Sequence, residues 1–164
     1  MIRFLASLIV SYFPKFGAVS AQAQDFAKGF AAYQTGDFAA ALKEWRPLAE
    51  QGNAQAQKNL GFMYRNGKGL VQDYADAAKW YRLAAEQGNA NAQSNLGLMY
   101  EYGRGVLQDN ILSHMWYNIA SANGTKKSSE WRDNIAAKMT AADVSKAQAM
   151  AKECMSSGYK NCGW

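Results

Sequence analysis

Few side chains in this 164-residue chain could do chemistry, and their spacing limits what that chemistry is. Histidine occurs once, as His114, and cysteine twice, as Cys154 and Cys162. A structural zinc site takes four ligands, so these three residues predict no Cys/His metal cluster. His114 has no second His and no placed nucleophile to work with, which leaves no acid–base dyad. It reads as a surface residue. Asp73 and Asp109 stand 36 residues apart in matching contexts. A hydrolase pair needs two carboxyls about 5–10 Å apart in one cleft, and stacked repeats would supply that separation. Helix capping explains both acids without catalysis, because a carboxylate ahead of a helix accepts its first free N–H groups. Gly67-Lys68-Gly69 and Gly103-Arg104-Gly105 could suggest phosphate loops. Neither runs into Gly-Lys-Ser/Thr and neither follows a strand, so both read as helix ends. These patterns predict no catalytic residue, no cofactor and no metal.

The elements that carry these residues repeat. Residues 53–88 align with 89–124 without a gap, and 17 of the 36 positions are identical. Each copy predicts two helices. Asn53 and Asn89 cap the first, whose apolar residues in the first copy fall at Ala56, Leu60, Met63 and Tyr64. Asp73 and Asp109 cap the second, which shows Ala77, Trp80, Tyr81 and Ala84 in the first copy. Gly61 and Gly97 lie in mid-helix, at a cost of about 1 kcal/mol relative to Ala. Close approach of a neighbouring helix is the expected return. The aromatic set Trp45, Trp80, Trp116, Tyr64, Tyr81, Tyr100 and Tyr117 follows the repeat's own spacing and reads as core. One helix pair cannot bury its apolar face alone, whereas stacked pairs can.

The chain ends are of a different kind. Arg3, the apolar run 4–13, Pro14 and Ala21-Gln22-Ala23 have the order of a secretory signal peptide over 1–23. Cleavage is expected after Ala23, or alternatively after Ala21. Losing Arg3 and Lys15 takes the formal charge from +5 to +3, too mild a surplus to argue for nucleic acid. The longest apolar run is too short to span a membrane, so the mature chain is expected to have no transmembrane segment. Export would place Cys154 and Cys162 where oxidation is permitted, and Ser156-Ser157-Gly158 lets the chain reverse between them. A Cys154–Cys162 disulfide is therefore expected to pin the tail as a cap.

The frame Leu60-Gly61-x-x-Tyr64-x-x-Gly67-x-Gly69-Leu70-x-x-Asp73-x-x-x-Ala77-x-x-Trp80-Tyr81-x-x-Ala84-Ala85-x-x-Gly88 resembles the Sel-one-like repeat, a branch of the tetratricopeptide superfamily. Residues 96–124 repeat it, with Val106 for Leu70 and Ser113 for Ala77. Residues 25–52 are more similar to an ordinary tetratricopeptide motif. The resemblance implies an all-α fold, a right-handed α-solenoid of about four antiparallel helix pairs. Their bounds are about 25–52, 53–88, 89–124 and 126–156, with a tail over 157–164. Members of this family are mostly scaffolds and adaptors, and many bacterial ones are exported. The implied function is an exported, periplasmic or secreted, non-enzymatic module with a protein or peptide partner. The alternative is a β-lactam-binding or hydrolysing enzyme of the cysteine-rich branch. That branch carries a Cys pair in each repeat, and residues 53–124 contain none.

In tetratricopeptide-like stacks the first helix of each pair lines the concave face. The expected partner-binding residues are Phe30 and Tyr33, then Lys58, Phe62 and Arg65, then Ser94, Leu98, Glu101 and Tyr102. Phe62 and Leu98 occupy equivalent positions and are expected side by side in the groove. Lys58 and Arg65 predict a partner with acidic residues near an apolar anchor.

Overall fold

Helix caps set the architecture. A computed structural model describes residues 16–160, 162 and 163. The expected n-region and apolar run of the signal segment lie outside the described residues. Eight helices lie among the described residues, in order: α1 (Phe16–Gln34), α2 (Phe38–Glu50), α3 (Ala54–Asn66), α4 (Tyr74–Ala85), α5 (Ala90–Tyr102), α6 (Asn110–Ala122), α7 (Lys126–Ala136) and α8 (Ala141–Ser156). No strand occurs among the described residues. Asn53 and Asn89 cap α3 and α5, and Asp73 and Asp109 cap α4 and α6, each through a side-chain oxygen accepting backbone N–H. Gly67 and Gly103 end α3 and α5 at φ 62°, a left-handed conformation that costs Gly little.

Consecutive helices pack as hairpins, α1 on α2, α3 on α4 and α5 on α6, and each hairpin stacks on the next. The mid-helix glycines make the hairpins tight. A Cβ on Gly61 would fall 2.7 Å from the Tyr81 ring, and one on Gly97 would fall 2.6 Å from the Tyr117 ring. Gly29 on α1 faces the Trp45 ring in the same way. Trp45, Tyr81, Trp116 and Tyr117 are buried, as their repeat spacing predicts.

A polar link joins each pair to the next. The Gln57 side chain, buried, donates from Nε2 to the Ala49 carbonyl at 3.0 Å and accepts at Oε1 from Gln87 Nε2 at 2.7 Å. Gln93 repeats the arrangement with Ala85 at 3.1 Å and Asn123 at 2.8 Å. Each glutamine thus satisfies a carbonyl at the end of the preceding helix pair.

The last two helices depart from this order. α7 and α8 each pack against α6, and they scarcely touch one another. The terminal segment is therefore not a further hairpin of the repeat type. The cause lies in α6, where Ser113, His114, Met115, Trp116 and Tyr117 are five consecutive buried residues. A helix buried around its whole circumference needs neighbours on every side. α5, α7 and α8 supply them. His114, expected at the surface, is accordingly only 2% exposed. Ala147, Ala151 and Cys154 bring α8 into the same core. The Cys154–Cys162 disulfide forms with the two Cα atoms 4.6 Å apart, and it folds the tail back so that the Tyr159 hydroxyl meets the Asn123 side chain.

Candidate interaction face

The odd-numbered helices form one continuous face. The rings of Tyr33 on α1 and Phe62 on α3 meet edge to face with centroids 6.2 Å apart. Arg65 Nη1 on α3 donates to Asn95 Oδ1 on α5 at 2.7 Å. The hydroxyls of Ser94 on α5 and Ser128 on α7 lie 2.8 Å apart. Hydrophobic spacing turns one side of each odd helix toward its even partner. The opposite side carries the residues expected to bind.

The structure sorts those residues into three groups. Phe30, Tyr33, Lys58 and Phe62 gather at one cleft, which Trp45 and Asn59 complete, with a volume of about 220 Å³. Phe30 is half-exposed at its rim. The Phe62 ring also has the Arg65 guanidinium 5.8 Å from its centroid. Arg65 is thereby held between Phe62 and Asn95, and it acts as a link between repeats as much as a surface charge. Lys58 makes no ion pair among the described residues. Burial, with no carboxylate beside it, holds its amine below the usual lysine range.

Leu98, Glu101 and Tyr102 line a second cleft of about 700 Å³, together with Tyr117, Trp131 and Lys138. Phe62 and Leu98 therefore line two different clefts. The Glu101 side chain is only 15% exposed. It accepts from the Tyr117 hydroxyl at 2.9 Å and faces Lys138 Nζ at 3.6 Å. Burial, then the bond to Glu101, pushes the Tyr117 phenol up. Ser94 is not on the surface at all. It is buried at 5% exposure, with its hydroxyl against that of Ser128 on α7.

Sequence reasoning missed Trp131, Lys138 and Arg104 at this second cleft. The Trp131 ring packs on Tyr117 at 5.6 Å and carries Lys127 Nζ at 5.2 Å from its centroid. The Arg104 guanidinium sits 5.3 Å from the Tyr102 ring. The one available signal was a Trp in a first helix of the terminal segment, outside the repeat frame. Trp45 and Asn59 are the unforeseen lining residues of the first cleft, Trp45 being a core aromatic that also shows one edge to it.

The residues weighed for catalysis have structural work. Asp73 and Asp109 cap helices, and Gly67 and Gly103 end them. A Ser-x-x-Lys spacing occurs at Ser157 and Lys160. There the Ser157 hydroxyl donates to the Cys154 carbonyl at 2.9 Å and accepts from the Lys160 backbone N–H at 3.2 Å, so it shapes the disulfide loop. No group of three or more His, Cys, Asp or Glu suited to a metal is found among the described residues.

The helical hairpins, the glycine–aromatic contacts and the link from pair to pair define an all-α helical solenoid. Residues 54–89 and 90–125 each match the Sel1 repeat. These two repeats support a Sel1-like repeat protein of the tetratricopeptide-like superfamily. The solved structure of a protective antigen from uropathogenic Escherichia coli, described as displaying an SLR fold, is 28% identical with a TM-score of 0.80. That match covers 87% of this chain and 32% of the antigen. A Sel1 repeat protein from Oxalobacter formigenes is 33% identical with a TM-score of 0.61, over 63% of this chain and 43% of its own. The matched stretch therefore spans less than half of either solved chain. No curated protein matches it. Two Sel1 repeats within an SLR-type solenoid mark a protein-interaction repeat module.

Proposed function

We propose that this protein is an exported, non-enzymatic module that binds a protein or peptide partner along its odd-helix face. The observation that carries the reading is apolar surface left in water on that face. Phe30 is 49% exposed, Phe62 36% and Tyr102 57%. Large apolar side chains clustered at clefts mark interaction sites rather than ordinary surface. Aromatic anchors ringed by a few charges are also the composition of a binding hot spot. Export to the periplasm or beyond rests on the pattern of residues 1–23. The Cys154–Cys162 bond fits an oxidising compartment. No helix among the described residues is long and apolar enough to cross a membrane.

The test compares the full chain with a Phe30→Asp, Tyr102→Asp double variant as bait in envelope extract of the native host. Both substitutions fall on exposed positions, so circular dichroism and melting temperature should not move. Capture of a partner by the parent and its loss in the variant is expected. Capture that survives in a folded variant would overturn the face assignment. Turnover of a chromogenic β-lactam by the purified protein would overturn the non-enzymatic reading.

A further inference from the structure

The 220 Å³ cleft at the N-terminal end of the face has a feature that plain apolar packing does not require. Phe30, Tyr33, Trp45 and Phe62 give it aromatic walls. A cavity of about 150 Å³ suffices for a benzene ring, so this one has room for a whole phenyl or branched aliphatic group. Lys58 and Asn59 complete the lining from α3. α3 carries Lys58 and Arg65 and no acidic residue. Arg65 is already committed to Asn95 and to the Phe62 ring. Lys58 has no carboxylate in an ion pair with it among the described residues.

An amine partly withdrawn from water and left unpaired is at a disadvantage that an incoming carboxylate would remove. Charge-assisted bonds of this kind are about twice as strong as neutral ones. From the apolar cavity and the uncompensated cation on its wall, we infer that the cleft receives a peptide segment pairing a bulky apolar anchor with an acidic side chain one or two residues away. The anchor enters between the aromatic rings and the carboxylate meets Lys58. This rests on the interaction reading above and specifies its partner.

The test is a selection of random twelve-residue peptides on the immobilised full chain. Enriched peptides should share Asp or Glu beside Phe, Leu, Ile or Trp. For a synthetic copy of one of them, Kd should rise about tenfold or more when its acid is changed to the amide, and equally with Lys58→Gln in the protein. Combining the two changes should add little, because both remove one contact. Lys58→Arg should retain most of the binding, which separates lost charge from a disturbed fold. Enriched peptides without an acid, or binding indifferent to Lys58→Gln, would overturn the inference and leave the module reading standing. No enrichment of any peptide would overturn the inference and count against peptide binding by the module itself.

Discussion

Gln93 accepts a hydrogen bond from Asn123 while it donates one to the Ala85 carbonyl, and so ties the end of one helix pair to the end of the next at 2.8 and 3.1 Å. The side chain is wholly buried. Gln93→Leu keeps the volume but leaves the Ala85 carbonyl without this partner. That carbonyl still accepts from the Gly88 N–H, so the change removes two buried side-chain hydrogen bonds, worth about 0.5–1.5 kcal/mol each. Urea unfolding should show a loss in that range. A change below a few tenths of a kcal/mol would mean that the link is not structural.

Gly97→Ala would improve intrinsic helix propensity by about 1 kcal/mol. The added Cβ would nevertheless fall 2.6 Å from the Tyr117 ring. Overpacking of this kind costs about 1–3 kcal/mol and should win or break even. A thermal melt of Gly97→Ala is expected at or below the parent's. Clear stabilisation would show that the α5–α6 hairpin can open to admit a methyl group at no cost.

Reduction of Cys154–Cys162 should free the tail and cost about 2 kcal/mol, modest because the closed loop is short. No thiol should titrate in denatured, unreduced protein, and two should titrate after reduction. Two thiols found without reductant would remove the disulfide from the account.

His114 gives stability a pH dependence. Burial, then the nearby Arg132 guanidinium, holds its imidazole below the ordinary histidine value of 6.5. The unfolded chain therefore binds a proton that the folded chain does not, in the interval just below pH 6.5. Stability should fall as pH drops through that interval and be fully present above it. His114→Gln should flatten the dependence there. Urea midpoints at pH 7.5 and at pH 5.5 for both proteins check this, and parallel slopes for the two would assign the effect elsewhere.

Processing after Ala23 would leave the chain starting at Gln24, within α1. Phe26, Gly29, Ala32 and Tyr33, which pack α1 onto its neighbours, all lie beyond that point. Mass spectrometry of protein from the native host should find Gln24, or Gln22, at the N-terminus. An intact Met1 in the mature pool would remove the export reading.

Much of this fold is legible in the sequence, because its signals are local. Asn53, Asp73, Asn89 and Asp109 cap helices through their own side chains, and Gly67 and Gly103 end them through φ. Those interactions span a few residues, so spacing alone exposes them. The repeat then supplies stacking, since identical faces 36 residues apart must meet identical partners. The Cys154–Cys162 bond is of the same short-range kind, its ends eight positions apart in sequence.

Burial at the surface of a solenoid is not local, and there the sequence is silent. Nothing near Ser94 says that Ser128 will lie 2.8 Å away. Nothing near His114 says that α7 and α8 will both come to rest on α6. Phe62 and Leu98 occupy the same place in the repeat, yet one faces α1 and the other the terminal Trp131, so equivalent positions open onto different clefts. The repeat pattern by itself determined the helices, their caps and their stacking. The tertiary structure decided which polar residues remain on the open face, because the two ends of the stack meet neighbours that do not obey the repeat.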